Sequence, residues 1–251
     1  MNNKFVVMFC VGLFLTSCST KKDVVYFQNA KSFETVVDTD TFKAKLKTGD
    51  IVTIYVSTLD QTVTQPYNIV IASGGGAQLI DYLIDADGNI DYPVLGKVKL
   101  VGLTTEEAKE LFKTKFSEGQ LLKDPVVMIR VLNFRVTVAG EVAAPGVYPV
   151  SGERVSILEA LGMAGDLTIK GRRDNVLVVR DFNGTKTYTR IDLTNKEVFN
   201  SPVYYLTQND YIYVEPNNSS ISNASGDSRL ATIISISSFI LTTALIFVTR
   251  N

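Results

Sequence analysis

Asp85, Asp87 and Asn89 crowd a short stretch with groups able to hold a cation or share a proton, and Asp91 and Glu141 add two further carboxylates. Two convergent carboxyls could serve as acid and base, or acid and nucleophile, on a glycosidic bond. A calcium loop of the EF-hand kind puts a glycine at its sixth position and a glutamate at its twelfth. Counted from Asp85, Gly88 is the fourth residue and Gly96 is the twelfth, so the spacing fails. A turn at Asp87-Gly88, joining strands 82–84 and 90–92 in a hairpin, accounts for the same residues. The carboxylates therefore fall at turn-like positions, which argues against a hydrolase or lyase.

The remaining chemical repertoire is thin. The 251 residues contain no histidine and no tryptophan, and the two cysteines are Cys10 and Cys18. The commonest general base, the usual zinc ligand and the aromatic most used to stack on sugars are thus missing. The run Gly74-Gly75-Gly76 has no Gly-Lys-Ser/Thr after it, so it reads as a surface loop and not a phosphate cradle. The formal charge is −1, from 25 Lys and Arg against 26 Asp and Glu, with no basic run to meet nucleic acid. The expectation is a protein that is not an enzyme and takes no cofactor, metal or nucleic acid.

The elements that position these residues alternate strand and helix. Lys47-Thr48-Gly49-Asp50 reads as a turn before a β-branched strand at 51–57, and 61–78, with Pro66, reads as loop. Thr104 stands three before Glu107, a capping box, and Ala108, Leu111, Phe112 and Phe116 share one helical face. A strand follows at 125–132. Residues 134–150 read as two strands about Pro145-Gly146, a pair suited to a type II bend. Ser156 and Glu159 cap a short helix, 157–163, with Gly162 and Gly165 near its end. Strands 176–180 and 186–191 flank Asn183-Gly184, a strong hairpin signal, and a last strand at 211–214 ends near Pro216. Tyr204, Tyr205, Tyr211 and Tyr213 could stack on sugars, although strand tyrosines more often fill a core.

The two ends of the chain carry apolar segments. Lys4 precedes the apolar run 5–15, as in a secretory signal, residues 1–17. It closes on Leu15-Thr16-Ser17-Cys18, which resembles the bacterial lipobox and implies acylation of Cys18. Several acyl chains make a stable anchor, and Ser19 after the cysteine favours the outer membrane by resemblance to sorting rules. With Cys10 removed and Cys18 acylated, no thiol remains for disulfides or metals. At the other end Leu230 to Val248 has no charged residue. At roughly 1.5 Å per residue it reaches about 28 Å, close to a hydrocarbon core. On a helical wheel Thr232, Ser235, Ser238, Thr242, Thr243 and Thr249 fall in one arc of about 140°, Ser237 lies outside it, and isoleucines and phenylalanines fill the rest. A ring of such helices would turn the hydroxyls inward as pore-lining groups. Two alternatives stay open: the hydroxyls bond their own backbone on any face, or small residues pack one helix on another.

Several stretches resemble the outer-membrane polysaccharide export lipoproteins of the Wza type. "LKTGDIVTIYV" is similar to the opening of that family's export domain, with Thr48 where a proline is usual. "IDADGNIDYPVLGKVKLVGLTTEEA" carries the most specific match, through Asp87, Gly88, Pro93 and Gly96, as Gly49 and Asp50 carry the first. "VAGEVAAPGVYPV" with "SILEALGMAGD" resembles the soluble-ligand-binding β-grasp module, SLBB, through Gly140, Pro145 and Gly146; Asp166 replaces the second glycine of its Ala-Gly-Gly. "LTQNDYIYVEP" looks like the closing strand. The resemblance implies an α+β fold: signal peptide 1–17, N-terminal segment 18–45, polysaccharide export domain 46–133, β-grasp domain 134–215, linker 216–229 and transmembrane helix 230–249. It further implies a homo-oligomeric ring, an octamer by family habit, that passes a capsular polysaccharide or exopolysaccharide chain through the outer membrane. The inner-membrane partner it implies is a polysaccharide copolymerase, often linked to a tyrosine kinase. Larger family members carry more β-grasp modules, so one module implies a shorter ring. The competing reading is a membrane-tethered periplasmic adaptor without a pore.

Overall fold

The computed structural model describes residues 24–31, 42–73, 76–182, 184–217 and 228–249. The expected signal segment and Cys18 lie outside the described residues. Two hydrophobic cores form, one from residues between Leu46 and Ile129, the other from residues between Phe134 and Val214.

In the first domain β1 (Ile51–Ser57) lies between β4 (Asp81–Leu83) and β7 (Val126–Val131), antiparallel to both. Val52, Ile54 and Val56 alternate inward from β1, and Val127 and Ile129 do so from β7. This is the period-two pattern of a sheet with one covered face. The cover includes α1 (Thr105–Glu118), whose capping box forms: Thr104 Oγ1 accepts from Glu107 N at 3.2 Å and Glu107 Oε2 from Thr104 N at 2.8 Å. Ala108, Phe112 and Phe116 are fully buried and Leu111 packs at the margin. Tyr92 meets Phe112 edge-on at 4.9 Å between centroids, and its hydroxyl donates to Tyr67 O at 3.0 Å. Burial pushes the Tyr82 hydroxyl up to about 12 and raises that of Tyr92 as well.

Two expectations in this domain are corrected. Strands 82–84 and 90–92 do not form a hairpin: β4 pairs with β1, while β5 (Asn89–Tyr92) pairs with β6 (Gly96–Lys99) around Pro93. Gly88 does turn, with φ +83°, but its carbonyl accepts from Leu100 N and Val101 N, so it answers the chain after β6. The expected loop 61–78 holds a 3-10 turn (Gln61–Thr64) and a hairpin, β2 (Val70–Ser73) with β3 (Gly76–Leu79). Ile69, Val70 and Ile71 run consecutively and do not alternate, so the sequence hides the strand.

The second domain is a five-stranded sheet in the order β12-β11-β14-β8-β9, made of β8 (Arg135–Gly140), β9 (Gly146–Pro149), β11 (Gly171–Phe182), β12 (Thr185–Ile191) and β14 (Tyr211–Pro216). Only β14 with β8 is parallel within it. A small pair, β10 (Val155–Ser156) with β13 (Tyr205–Leu206), leads into α2 (Ile157–Met163), again opened by a capping box, Ser156 with Glu159. Gly184 takes φ +85° in the two-residue turn between β11 and β12. Gly146 is another correction: it has no positive φ and opens β9 opposite Val138, so the Pro145-Gly146 bend is not of the glycine-dependent kind. The left-handed glycine of this stretch is Gly140, φ +89°, where a Cβ would stand 2.1 Å from Val214 O.

Residues 24–31 return to the second domain. Phe27 N donates to Leu193 O at 3.2 Å, Gln28 N to Thr194 O at 2.7 Å, and Phe27 stacks on Phe199 at 5.2 Å. The tail forms α3 (Ser228–Thr249). Among the described residues no helix is long and apolar enough to cross a membrane, so the expected transmembrane role of 230–249 is unsupported there.

Candidate functional site

The two domains meet along a polar seam whose centre is a turn of the first. Lys47 O accepts from Asp50 N at 3.2 Å and Gly49 takes φ +84°, so the turn closes with its left-handed residue at the glycine. This geometry aims the Lys47 side chain into the second domain. Its ammonium donates to Asp181 O at 2.8 Å, Thr207 Oγ1 at 2.8 Å and Gln208 O at 3.1 Å, and the residue is 7% exposed. An ammonium has three donors, and here all three are spent. Burial lowers the Lys47 pKa, against the opposing pull of Asp210.

Behind Thr207 lies Asp210, fully buried. Arg180 grips it through Nε at 3.1 and 3.0 Å and through Nη2 at 2.7 Å, while Thr207 N and Oγ1 donate to it at 2.8 and 2.9 Å. The carboxylate is thereby saturated, the condition under which a buried charge is tolerated. On the other flank Asp50 Oδ2 accepts from Lys47 N at 2.8 Å, and Oδ1 is buried without a partner. Burial raises the Asp50 pKa, only partly countered by the Lys47 amide. Asn133 then bridges the domains: its side chain accepts from Ile51 N and donates to Gly49 O, both at 2.9 Å, and its carbonyl accepts from Gln208 Nε2 at 2.6 Å.

Two clefts open beside this seam. One, about 750 Å³, is lined by Lys47, Asp87, Asp181, Lys186 and Tyr211 among others; the second, about 1050 Å³, lies between Lys43, Lys45 and Arg130 of the first domain and Arg154 of the second. Lys47 is spent on acceptors, and among the described residues no three acidic groups gather into a metal site.

Of the residues singled out from sequence, Asp50 and Gly49 sit in the seam, and Asp87 and Gly88 line its smaller cleft. Pro93 and Gly96, φ +69°, flank the β5–β6 turn, and Gly140 lies against β14. The four carboxylates do not converge there: Asp85 Oδ1 accepts from Asn89 N at 2.7 Å, Glu141 Oε2 accepts from Thr168 Oγ1 at 2.9 Å, and of the four only Asp87 lines either cleft. Asp166, the residue in place of a glycine, takes φ +67° and steadies it by accepting from Leu167 N at 2.7 Å and from the Tyr26 hydroxyl. In α3, Ser235 donates to Thr232 O, Ser238 to Ser235 O and Thr242 to Ser238 O, and Ser237, off the stripe, does the same to Ile234 O. Back-bonding on both faces is the first alternative weighed for these hydroxyls. The side chain of Thr249 lies outside the described residues. Sequence reading missed Lys47, Asn133, Arg180, Thr207, Gln208 and Asp210; the one signal available was a cluster of polar residues, Thr207 to Asp210, ahead of an apolar strand.

The family described as polysaccharide biosynthesis/export protein matches residues 39–132, and the SLBB domain family matches 135–190. The chain carries a polysaccharide export domain followed by an SLBB domain. The seam is thus the junction of the two. Similar curated proteins are the EPS I polysaccharide export outer membrane protein EpsA of Ralstonia nicotianae, 34% identical over 158 residues, and its namesake in Ralstonia solanacearum, 30% identical over 160 residues. These alignments take in 58% and 57% of this chain but 40% and 42% of the relatives, so the likeness spans about two fifths of their length.

Proposed function

We propose that the protein is an outer-membrane component of capsular polysaccharide or exopolysaccharide export that performs no covalent chemistry. The observation that carries this reading is the unbroken succession of export and SLBB domains, in a chain similar over 158 residues to a protein named for EPS I polysaccharide export. The seam supports a conduit part over an enzyme, because Lys47, Arg180 and Asp210 are engaged with one another's neighbours and with backbone and join the two domains.

The finer reading is a lipoprotein, acylated at Cys18, assembled as a homo-oligomeric ring around the polysaccharide and handed its chain by an inner-membrane copolymerase with tyrosine kinase. In it α3 is one stave of a helical barrel, with Thr232, Ser235, Ser238, Thr242 and Thr249 toward the lumen. The 22 residues of α3 reach about 33 Å at roughly 1.5 Å per residue, and Ile233, Ile234, Phe239 and Ile240 are all more than half exposed. The second reading is an adaptor without a pore; among the described residues no helix is long and apolar enough to cross a membrane.

Epitope labelling of intact cells separates the two. A tag after Asn251 that is labelled without permeabilisation, while a tag in the 74–76 loop is not, supports the barrel; two tags labelled only after permeabilisation support the adaptor. Loss of surface polysaccharide on deleting the gene is expected in either case, and unchanged surface polysaccharide would refute export.

A further inference from the structure

The β2–β3 hairpin is a sheet of its own, unpaired with the sheet of the export domain although β3 runs near β1. The β1–β4 ladder ends at Thr53 with Asp81, and further along β1 the Asn68 side chain takes the place of a neighbouring strand: Oδ1 accepts from Val56 N at 2.9 Å and Nδ2 donates to Val56 O at 2.6 Å. Val56 is thereby closed to strand pairing by the chain after Ile69. The hairpin projects as an arm on which Ile69, Val70 and Ile71 are 42%, 56% and 52% exposed. Two strands with apolar side chains bare to water are marginal by themselves. From Gln61 to Ile80 there is no charged residue.

The same domain carries a second unpartnered surface. The face of β4-β1-β7 opposite α1 exposes Leu83 at 60%, Val126 at 57% and Met128 at 47%, with half-buried Ile51 and Tyr55 between them. Its charges, Asp81 and Arg130, stand opposite Thr53 from either side, and Asp81 Oδ1 already accepts from Thr53 Oγ1 at 2.8 Å. They offset each other, leaving a face that is neutral and apolar, complementary to a neutral apolar arm.

We propose that the arm of one copy docks on this open sheet face of the next copy. Arm and face are different patches of one chain, so the contact is heterologous and repeats around a ring. The proposal rests on the ring reading above and assigns its export-domain interface.

The test is disulfide trapping in membranes from cells making the full chain, in a background where 24–217 contains no cysteine. Val70→Cys with Met128→Cys is expected to give a ladder of cross-linked species on oxidation, and each single variant none. Cross-linking by Val70→Cys alone, which signals arm against arm, overturns the proposal. A large detergent-extracted particle without the ladder overturns it while sparing the ring; a monomeric particle sinks both. As a second variant, Val70→Asp is expected to reduce the particle to monomer with its melting temperature within a few degrees of the parent monomer, and persistence of the full particle refutes the docking.

Discussion

Lys47→Met removes the ammonium at the seam and keeps most of its stem. It leaves the carbonyls of Asp181 and Gln208 without their donor, while Thr207 Oγ1 retains its bond to Asp210. An orphaned buried acceptor costs about 1–3 kcal/mol. Part of that is offset because the ammonium was itself disfavoured by burial, as its lowered pKa records. A net loss of about 2–3 kcal/mol follows. Since these bonds join two domains, the loss falls on their coupling. Calorimetry of the full chain in detergent should show a midpoint lower by about 4–12 °C, at about 2–4 °C per kcal/mol, and a single transition resolved into two. The pH dependence adds a sign. With a folded pKa below the ordinary 10.5, the unfolded state binds more protons between the two values, so wild-type stability from this group rises with pH there. The raised tyrosines pull the other way above about pH 10 but are common to both proteins. The stability gap between wild type and variant must therefore widen as pH approaches 10.5. An unchanged single transition, or a gap that narrows, would refute the seam as the coupling element.

Asp50→Asn keeps an acceptor for the Lys47 amide and discharges a carboxylate that burial disfavours, so stability at pH 7 should change by no more than about 1 kcal/mol. Wild type should gain stability as pH falls from the raised folded pKa toward 3.8, and denaturant titrations of the variant should lack that gain. Gly88→Ala drives a Cβ to 2.1 Å from Val101 Cγ1 at φ +83°, whereas Gly96→Ala meets open space at φ +69°. The first should lose about 3 kcal/mol or more and the second about 1 kcal/mol by chemical denaturation, from added strain and clash against strain alone. Thr104→Ala removes the cap of α1 and should cost about 1 kcal/mol, read as a lower urea midpoint with an unchanged slope.

The local signals in the chain were strong where one residue type answers one backbone need. Both capping boxes, the apolar face of α1 and the Gly184 hairpin form as their spacing requires. Legibility failed where an element takes its partner from far along the chain. Residues 82–84 and 90–92 carry the marks of a hairpin, yet Tyr82 pairs with the buried Val52 of β1 instead. The β2–β3 arm was unreadable because strand periodicity records burial on one face, and the arm buries neither. The seam was hidden for a related reason: Lys47 and Gln208 lie 161 positions apart, and nothing in a turn lysine says which distant carbonyls it will meet. Gly49 and Gly184 stand in the turns their motifs suggested, but only the φ values show that Gly140 and not Gly146 supplies the left-handed residue.

The stitching of residues 24–31 to the second domain decides how a pull on the front of the chain is borne. Tyr26 lies against the Arg173 guanidinium and donates to Asp166, and Asn29 Nδ2 donates to Asn195 Oδ1 at 2.7 Å while its Oδ1 accepts from Lys196 N at 2.8 Å. Tension applied ahead of residue 24 is therefore delivered to the SLBB domain before it reaches β1. The export domain is held to its neighbour by the chain between β7 and β8 and by the Lys47 and Asn133 bonds. A chain so stitched takes a pull at its front as a mooring line made fast to the far hull would, with the nearer hull lashed alongside.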